Sequence, residues 1–490
     1  MKKQAKWICL LLTVVMLVVM VACNDPSSPS TGSTNIDPQP TDDGSAIKDN
    51  LPDDLDFNGQ KVVIHTRDDP ESIHEVFVED KNTQVSQAVY LRNERVQERL
   101  HITIEAYPSY PWQKYHAGLT ELQASIQADD GAFDIVAGWS AFITTLGTAE
   151  FFQNLHDMKY LDFDQPWWNS YITSELTFGG SLVFASGDVA LSMIGSTQCI
   201  LFNQKLQKNW GVEDLYQTVT DGKWTIDYMN ALVKQHYYDD GNSERDDADS
   251  YGLAIGPTND ADGFMQASNI QMFSRDENGL PYYNPEADKL NSLISKMYAL
   301  MHQNEGTFLA KEDGSTLRDM FMQDKALLHP TQFYAIENYI SKMDSDYGIL
   351  PFPKYDEAQE KYLTRVQDGV SLWCIPIDAK NTDLSSATME AMAAENYRSV
   401  SDIYYNVAMK NRYSRDESDI ASQVMDMIMD GRYFNFACIY NNRISRPWDC
   451  ARILMEHGQN SWSSWDAQYA GSINVMTERL VQKIMEGNQS

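Results

Sequence analysis

The sequence predicts an α/β fold with a parallel sheet. Short β-branched apolar runs alternate with helically spaced stretches, and turn residues separate them. No repeat of fixed period runs through the 490 residues, which argues against a solenoid.

The elements follow in order. Lys61 to Thr66 is a β-branched run after the turn Asn58-Gly59 and is expected as the first strand. Gln84 to Leu100 places Val85, Ala88, Val89, Leu91, Val96 and Leu100 at helical spacing. His101 to Ala106 alternates as a second strand, Tyr115 to Ala128 is a second helix ended by Asp129-Asp130-Gly131, and Phe133 to Ala137 is a third strand. Further strands are expected at Ser181–Ala185, Gln198–Phe202, Leu253–Gly256, Ala326–Leu328, Tyr347–Pro351 and Val370–Ile375. Helices are expected at Ile226–His236, Leu290–Gln303, Leu317–Asp324 and Ser385–Tyr397, with a mostly helical tail from Ser418.

Four segments in this order carry a family resemblance. They are Ala128 to Val136 (an acidic turn leading into Phe-Asp-Ile-Val), Gly187-Asp188 through Ile200 to Leu206, Lys223 to Asp227, and Tyr347 to Lys354. Together they resemble the extracellular solute-binding proteins of bacterial ABC importers, in the carbohydrate-binding family 1 branch. Phe202 replaces the family's usual Tyr, and Gln204 intervenes between Asn203 and Lys205. The resemblance implies a two-lobed periplasmic-binding-protein-like fold of type II, with the hinge crossed several times. It implies a first lobe of 55–195 and 330–400 and a second of 196–329 and 401–490. It also implies a non-catalytic monomer that captures a carbohydrate, with an oligosaccharide favoured by the aromatic content, and delivers it to importer permease subunits.

The N-terminal residues fit that reading. Lys2, Lys3 and Lys6 precede an apolar run, Trp7 to Ala22, shorter than the roughly 20 residues of a membrane span. The run is expected to be a signal peptide (1–22). Met20-Val21-Ala22-Cys23 resembles a lipobox, which makes Cys23 the expected lipidation site and the outer face of the cytoplasmic membrane the expected location. Residues 23–54 are expected to form a tether, since up to about Asn50 they are rich in Ser, Pro, Thr, Asp and Gly.

Composition narrows the partners. A formal charge of −32 disfavours nucleic acid, whose backbone needs a basic surface. Cys199, Cys374, Cys438 and Cys450 include no CxxC pair, and a Cys438–Cys450 bridge stays open. The sequence holds no G-x-S-x-G, H-E-x-x-H or P-loop pattern. A surface glycosidase and a binder of peptides or organic acids are the alternatives, and no cofactor or metal is expected. In Asp239 to Asp249, oxygen-bearing residues at 240, 242, 244 and 246 resemble a calcium loop. Arg245 stands where that loop needs glycine and Asp249 is out of step, so a solvated hairpin is expected.

Ligand contacts are expected where strands of the first sheet end. Thr66, Arg67 and Asp68 follow the first strand, and Trp139 follows the third. An aromatic face stacks on a sugar ring, and charged side chains pair with its hydroxyls. By the resemblance, Asp188 lines the hinge side of the cleft. Gln332, Phe333 and Tyr334 follow the strand taken to return to the first lobe, and Trp448 is expected to cap the ligand from the second. Trp224 is expected to be structural.

Overall fold

The structure is a computed structural model that describes residues 47–69, 74–78, 81–147, 150–311, 314–414, 416 and 418–487. The signal peptide, Cys23 and most of the tether lie outside the described residues.

The chain runs through β1 (Gln60–Arg67), α1 (Gln84–Leu100), β2 (Ile102–Tyr110), α2 (Tyr115–Ala128), β3 (Ile135–Trp139) and α3 (Ser140–Leu146). After a segment that includes the short helix Ser170–Leu176 it passes a single helical turn, α4 (Ser192–Gly195), and then β4 (Gln198–Asn203), β5 (Tyr237–Tyr238), β6 (Ser250–Ile255), β7 (Thr307–Leu309) and β8 (Ala326–Gln332), with helices such as Ile226–Val233, Ala287–His302 and Ser315–Met322 between them. Then follow α5 (Phe333–Asn338), β9 (Tyr347–Leu350), β10 (Ser371–Cys374), α6 (Thr382–Glu395), α7 (Asp419–Asp430) and the 26-residue α8 (Trp462–Gly487).

Local chemistry sets these boundaries. The Thr83 side chain accepts from the Ser86 N–H and Ser86 returns the bond to the Thr83 backbone, so α1 opens on a capping box. His101 closes it in the left-handed region at φ 49°. The third strand starts two residues later than expected because Asp134 is diverted. Its side chain accepts from the Val63 N–H at 2.8 Å, docking the turn on β1. Ser181–Ala185, expected as a strand, makes only isolated bridges, Ser181 to Phe178 and Ala185 to Trp373.

Two sheets result. The first has the order β10-β3-β1-β2, with β1 parallel to β2 and β3, and β10 antiparallel to β3. The second has the order β9-β4-β8-β6-β5, with β7 also on β6. In it β4 runs antiparallel to both β8 and β9. Each sheet has its own apolar core. One gathers Val62, Ile64, Ile135, Trp373 and Leu384, the other Leu201, Leu253, Leu293, Leu328 and Ile349.

The lobe limits differ from those expected. Tyr347–Leu350 was expected to re-enter the first lobe, yet it pairs with β4 in the second sheet. The chain returns later, where Val366 bridges Thr197 and Gln367 N–H donates to the Ser196 carbonyl at 2.8 Å. The tail is shared. Val424, Met425 and Leu454 enter the second core, whereas Phe436, Tyr440, Leu480 and Ile484 enter the first. All four cysteines of the body are free thiols, Cys438 and Cys450 included. Among the described residues no helix is long and apolar enough to cross a membrane.

One buried acid makes the first lobe sensitive to pH. The Glu390 carboxylate on α6 accepts from the Trp167 and Trp168 indole N–H groups at 2.9 and 2.8 Å. Burial outweighs these bonds and pushes its pKa up to about 7. A carboxyl group raised above its unfolded value contributes stability that is complete at low pH. That stability is lost as pH rises from the unfolded value through about 7. The melting temperature is therefore expected to fall between pH 5 and about 7, and Glu390→Gln to flatten that part of the profile, as read by thermal melts across pH.

Candidate functional site

Between the two cores lies a cavity of about 730 Å³, walled by residues of both sheets and of the crossings between them. From the first lobe come Arg67, Asp69, Glu75, Trp112, Trp139 and Phe142. From the second come Asn259, Gln332, Tyr334, Glu337 and Asn338. Ser192, Ser196 and Gln367 to Gly369 form its floor, and Tyr404 reaches it from the π-helical stretch Ile403–Tyr413.

The first-lobe wall follows from strand geometry. Register slips between Thr66 and Arg67 where β1 pairs with β2, and such an irregularity re-aims the side chains beyond it. Arg67 is consequently turned inward and is only 4% exposed. Its Nη2 donates to the Gly369 carbonyl at 2.6 Å, and its Nη1 lies 3.6 Å from Asp69. The guanidinium carbon sits 5.3 Å from the centre of the Trp139 ring, within cation–π range. Asp69 also accepts from the Trp112 backbone N–H at 3.2 Å.

Trp139 ends β3, and the next residue is locked to the second crossing. Ser140 N–H donates to the Val370 carbonyl at 3.0 Å and its hydroxyl to the Asp368 carbonyl at 2.8 Å. Phe142 meets the Trp139 ring edge-on at 4.6 Å and stacks on Tyr115 at 3.7 Å. An aromatic wall therefore stands beside a fixed cation, with Trp112, 56% exposed, at its rim. Two donors on this wall, Arg67 Nε and Trp139 Nε1, are buried without a hydrogen-bond partner. Buried donors of this kind are costly unless something accepts from them.

On the second-lobe side, Gln332 ends β8 and α5 carries Tyr334, Glu337 and Asn338. Glu337 accepts from the Tyr404 hydroxyl at 3.3 Å. This wall supplies amides, a carboxylate and phenol rings. The arrangement is suited to binding a ring with an apolar face and a hydroxyl edge. The mainly acidic lining, with Arg67 already engaged, is poorly matched to a multiply anionic solute.

Of the residues singled out from sequence, the structure brings Arg67, Trp139, Gln332 and Tyr334 together at this cavity. Thr66 is buried beneath it and Asp68 is exposed, its N–H donating to the Tyr110 carbonyl at 2.7 Å, so neither lines it. Phe333 and Trp448 also fall away. Both are buried in the second core, because β8 belongs to that sheet and the turn Pro447–Asp449 packs inward. Asp188 lines a separate cavity of about 600 Å³, with Trp167, Tyr405 and Arg432. It accepts from the Ser401 hydroxyl, and burial pushes its pKa up to about 6. Trp224 is buried in the second core, its indole N–H donating to the Pro351 carbonyl at 2.9 Å.

Trp112 was missed, although it follows the end of β2 and the rule applied to β1 and β3 also reaches it. Glu75, Glu337, Asp368 and Tyr404 carry no local signal. In the acidic hairpin, Asp239, Asp240 and Asp249 bring carboxylate oxygens within 4.8 Å of one another. Asp249 is committed to the Asp240 N–H at 2.9 Å and the Tyr237 hydroxyl at 3.0 Å. Arg245 packs over Tyr237 and Tyr251.

No family model matches the chain, and no curated protein sequence matches it. Solved structures do. One is a cyclo/maltodextrin-binding protein complexed with maltotetraose, at 14% identity and TM-score 0.52, covering 88% of this chain and 97% of that one. The chain has the two-lobed solute-binding-protein fold. The GacH receptor of Streptomyces glaucescens, described unliganded and with acarbose, aligns at 13% identity and TM-score 0.52 over 86% of this chain and 99% of its own. The ABC substrate-binding protein Lmo0181 from Listeria monocytogenes, in complex with cycloalternan, aligns at 12% identity and TM-score 0.52 over the same shares, 86% and 99%.

The Arg67–Asp69 pair yields a stability test. Removing one partner of a buried pair strands the other charge. Arg67→Ala is expected to lose about 3 kcal/mol in urea unfolding, and the added change Asp69→Asn to recover a large part of it.

Proposed function

We propose that this protein is a substrate-binding lipoprotein of an ABC importer that captures a carbohydrate, an oligosaccharide by preference, between its lobes. The carrying observation is the interlobe cavity, where a wall of Trp112, Trp139 and Phe142 and buried unpaired donors face amides and carboxylates. A saccharide ring satisfies both kinds of surface at once. The bound ligands of the solved structures with this fold (maltotetraose, acarbose, cycloalternan) support the same class.

In this reading Arg67, Trp139 and Gln332 are ligand residues, joined by Trp112, Tyr334, Glu337 and Asp368. The protein is a monomer without catalytic activity. Cys23 carries the lipid that holds it to the outer face of the cytoplasmic membrane, residues 23–54 are the tether, and the permease subunits receive the sugar. Two or more acyl chains anchor stably where one does not, and tethering raises the local concentration at the importer.

The test is a thermal-melting screen of the full chain against neutral mono- and oligosaccharides, with peptides and organic acids in parallel. A sugar of the right class stabilises the native state by about 2.7 kcal/mol at a hundredfold excess over its Kd. In Trp139→Ala the affinity for that sugar is expected to drop roughly 30-fold by calorimetry, the loss of one central aromatic contact. A response to peptides or organic acids alone, or chromatographic evidence that the sugar is cleaved, rejects the assignment.

A further inference from the structure

The cavity floor contains a buried polar network that touches three of the passages between the lobes, those that precede the shared tail. Glu75 lines the cavity and is 1% exposed. Its carboxylate accepts from the Ser192 N–H in the first crossing at 3.0 Å. Ser371, where the second crossing enters β10, in turn donates its N–H to the Ser192 hydroxyl at 3.0 Å, so the two crossings are joined beneath the carboxylate.

Arg92 of α1 supplies the other half. It is fully buried and bridges two partners. Nη2 donates to the Glu75 carbonyl at 2.6 Å and Nη1 to the Asn396 side chain at 2.9 Å. Asn396 begins the π-helical continuation of α6, the third crossing, and its amide donates to the Asp188 carbonyl of the first at 2.8 Å. The neighbouring Asn93 donates to the Val76 carbonyl at 2.9 Å, so one face of α1 holds the whole 75–76 turn.

We propose that Glu75 and Arg92 are positioning residues that bracket three of the crossings on the first lobe and thereby set the angle of the second lobe over the cleft. Hinge bending needs a few residues free to change their backbone angles. Residue 192 is pinned to the Glu75 carboxylate, residue 371 to residue 192, and residue 396 to the Arg92 guanidinium, which limits bending of these three passages to the chain between the pins and the second sheet. Glu75 also stands at the cavity floor, so a saccharide seated there contacts the same unit that restrains the hinge. This rests on the capture reading for its purpose, but the bracket itself is testable without any ligand.

The experiment is single-molecule energy transfer on the unliganded full chain, with dyes clicked onto azidophenylalanine placed at Glu98 on α1 and at Lys208 beside β4, both exposed. The wild-type protein is expected to show one dominant lobe separation. Glu75→Ala is expected to raise a second separation about tenfold, the shift produced by losing one buried charge-assisted hydrogen bond. Glu75→Gln, whose amide oxygen can still accept from the Ser192 N–H, is expected to restore the single state. If Glu75→Ala does not fold, Arg92→Lys replaces it, since an ammonium cannot span both the Glu75 carbonyl and Asn396. An unchanged separation in either folded variant, or a Gln variant no better than Ala, overturns the bracket. A widened separation in a protein that answers to no sugar keeps the bracket and rejects the capture reading instead.

Discussion

The arrangement depends on how two strands of chain pass side by side between the sheets. Backbone groups that leave one sheet for another lose their ladder partners, and buried ones must find replacements. Here the first and second crossings satisfy each other, Thr197 bridging Val366 and Ser196 accepting from Gln367. That contact fixes where Asp368 and Gly369 sit, and hence where the Arg67 guanidinium finds its carbonyl acceptor. The Asp368 and Val370 carbonyls also hold Ser140, the residue after Trp139. Cation, tryptophan and cavity floor are thus all positioned by one paired connection.

The cavity is lined by polar and aromatic side chains together, and those on its first-lobe side are held by fixed contacts. Arg67 is held by a carbonyl, a carboxylate and an indole face, and Trp139 is wedged against Phe142. Side chains held this way lose little further entropy when a ligand arrives. The second-lobe side is built from a helix, α5, whose polar residues project from its cavity face while Phe333 and Ile336 anchor the opposite face in the core. One rigid aromatic wall and one hydrogen-bonding wall, carried on separate sheets, suit a ligand that is itself amphipathic.

Much of the first lobe was legible in the sequence. Gln84–Leu100 and Tyr115–Ala128 agree residue for residue with α1 and α2, because amphipathic spacing and end signals are local. The site was legible only in part. A rule that ligands gather at the carboxyl ends of parallel strands leads to Arg67 and Trp139, and extended to β2 it leads to Trp112. It assigns Asp68 wrongly because side chains alternate along a strand, and the slip at Thr66/Arg67 that decides which one faces inward is a pairing property.

The sequence alone determined the class of the fold, the succession of most of its elements and the surplus of negative charge, since periodicity, turn chemistry and composition need no distant partner. The tertiary structure decided which sheet each late strand joins. Tyr347–Leu350 is as apolar as a first-sheet strand, and only its pairing with β4 assigns it. It also decided the fate of Phe333 and Trp448, since burial depends on what packs from elsewhere in the chain. The meeting of Glu75, Arg92, Ser192, Ser371 and Asn396 likewise belongs to the folded state, because residues more than 300 positions apart become neighbours only when the crossings converge.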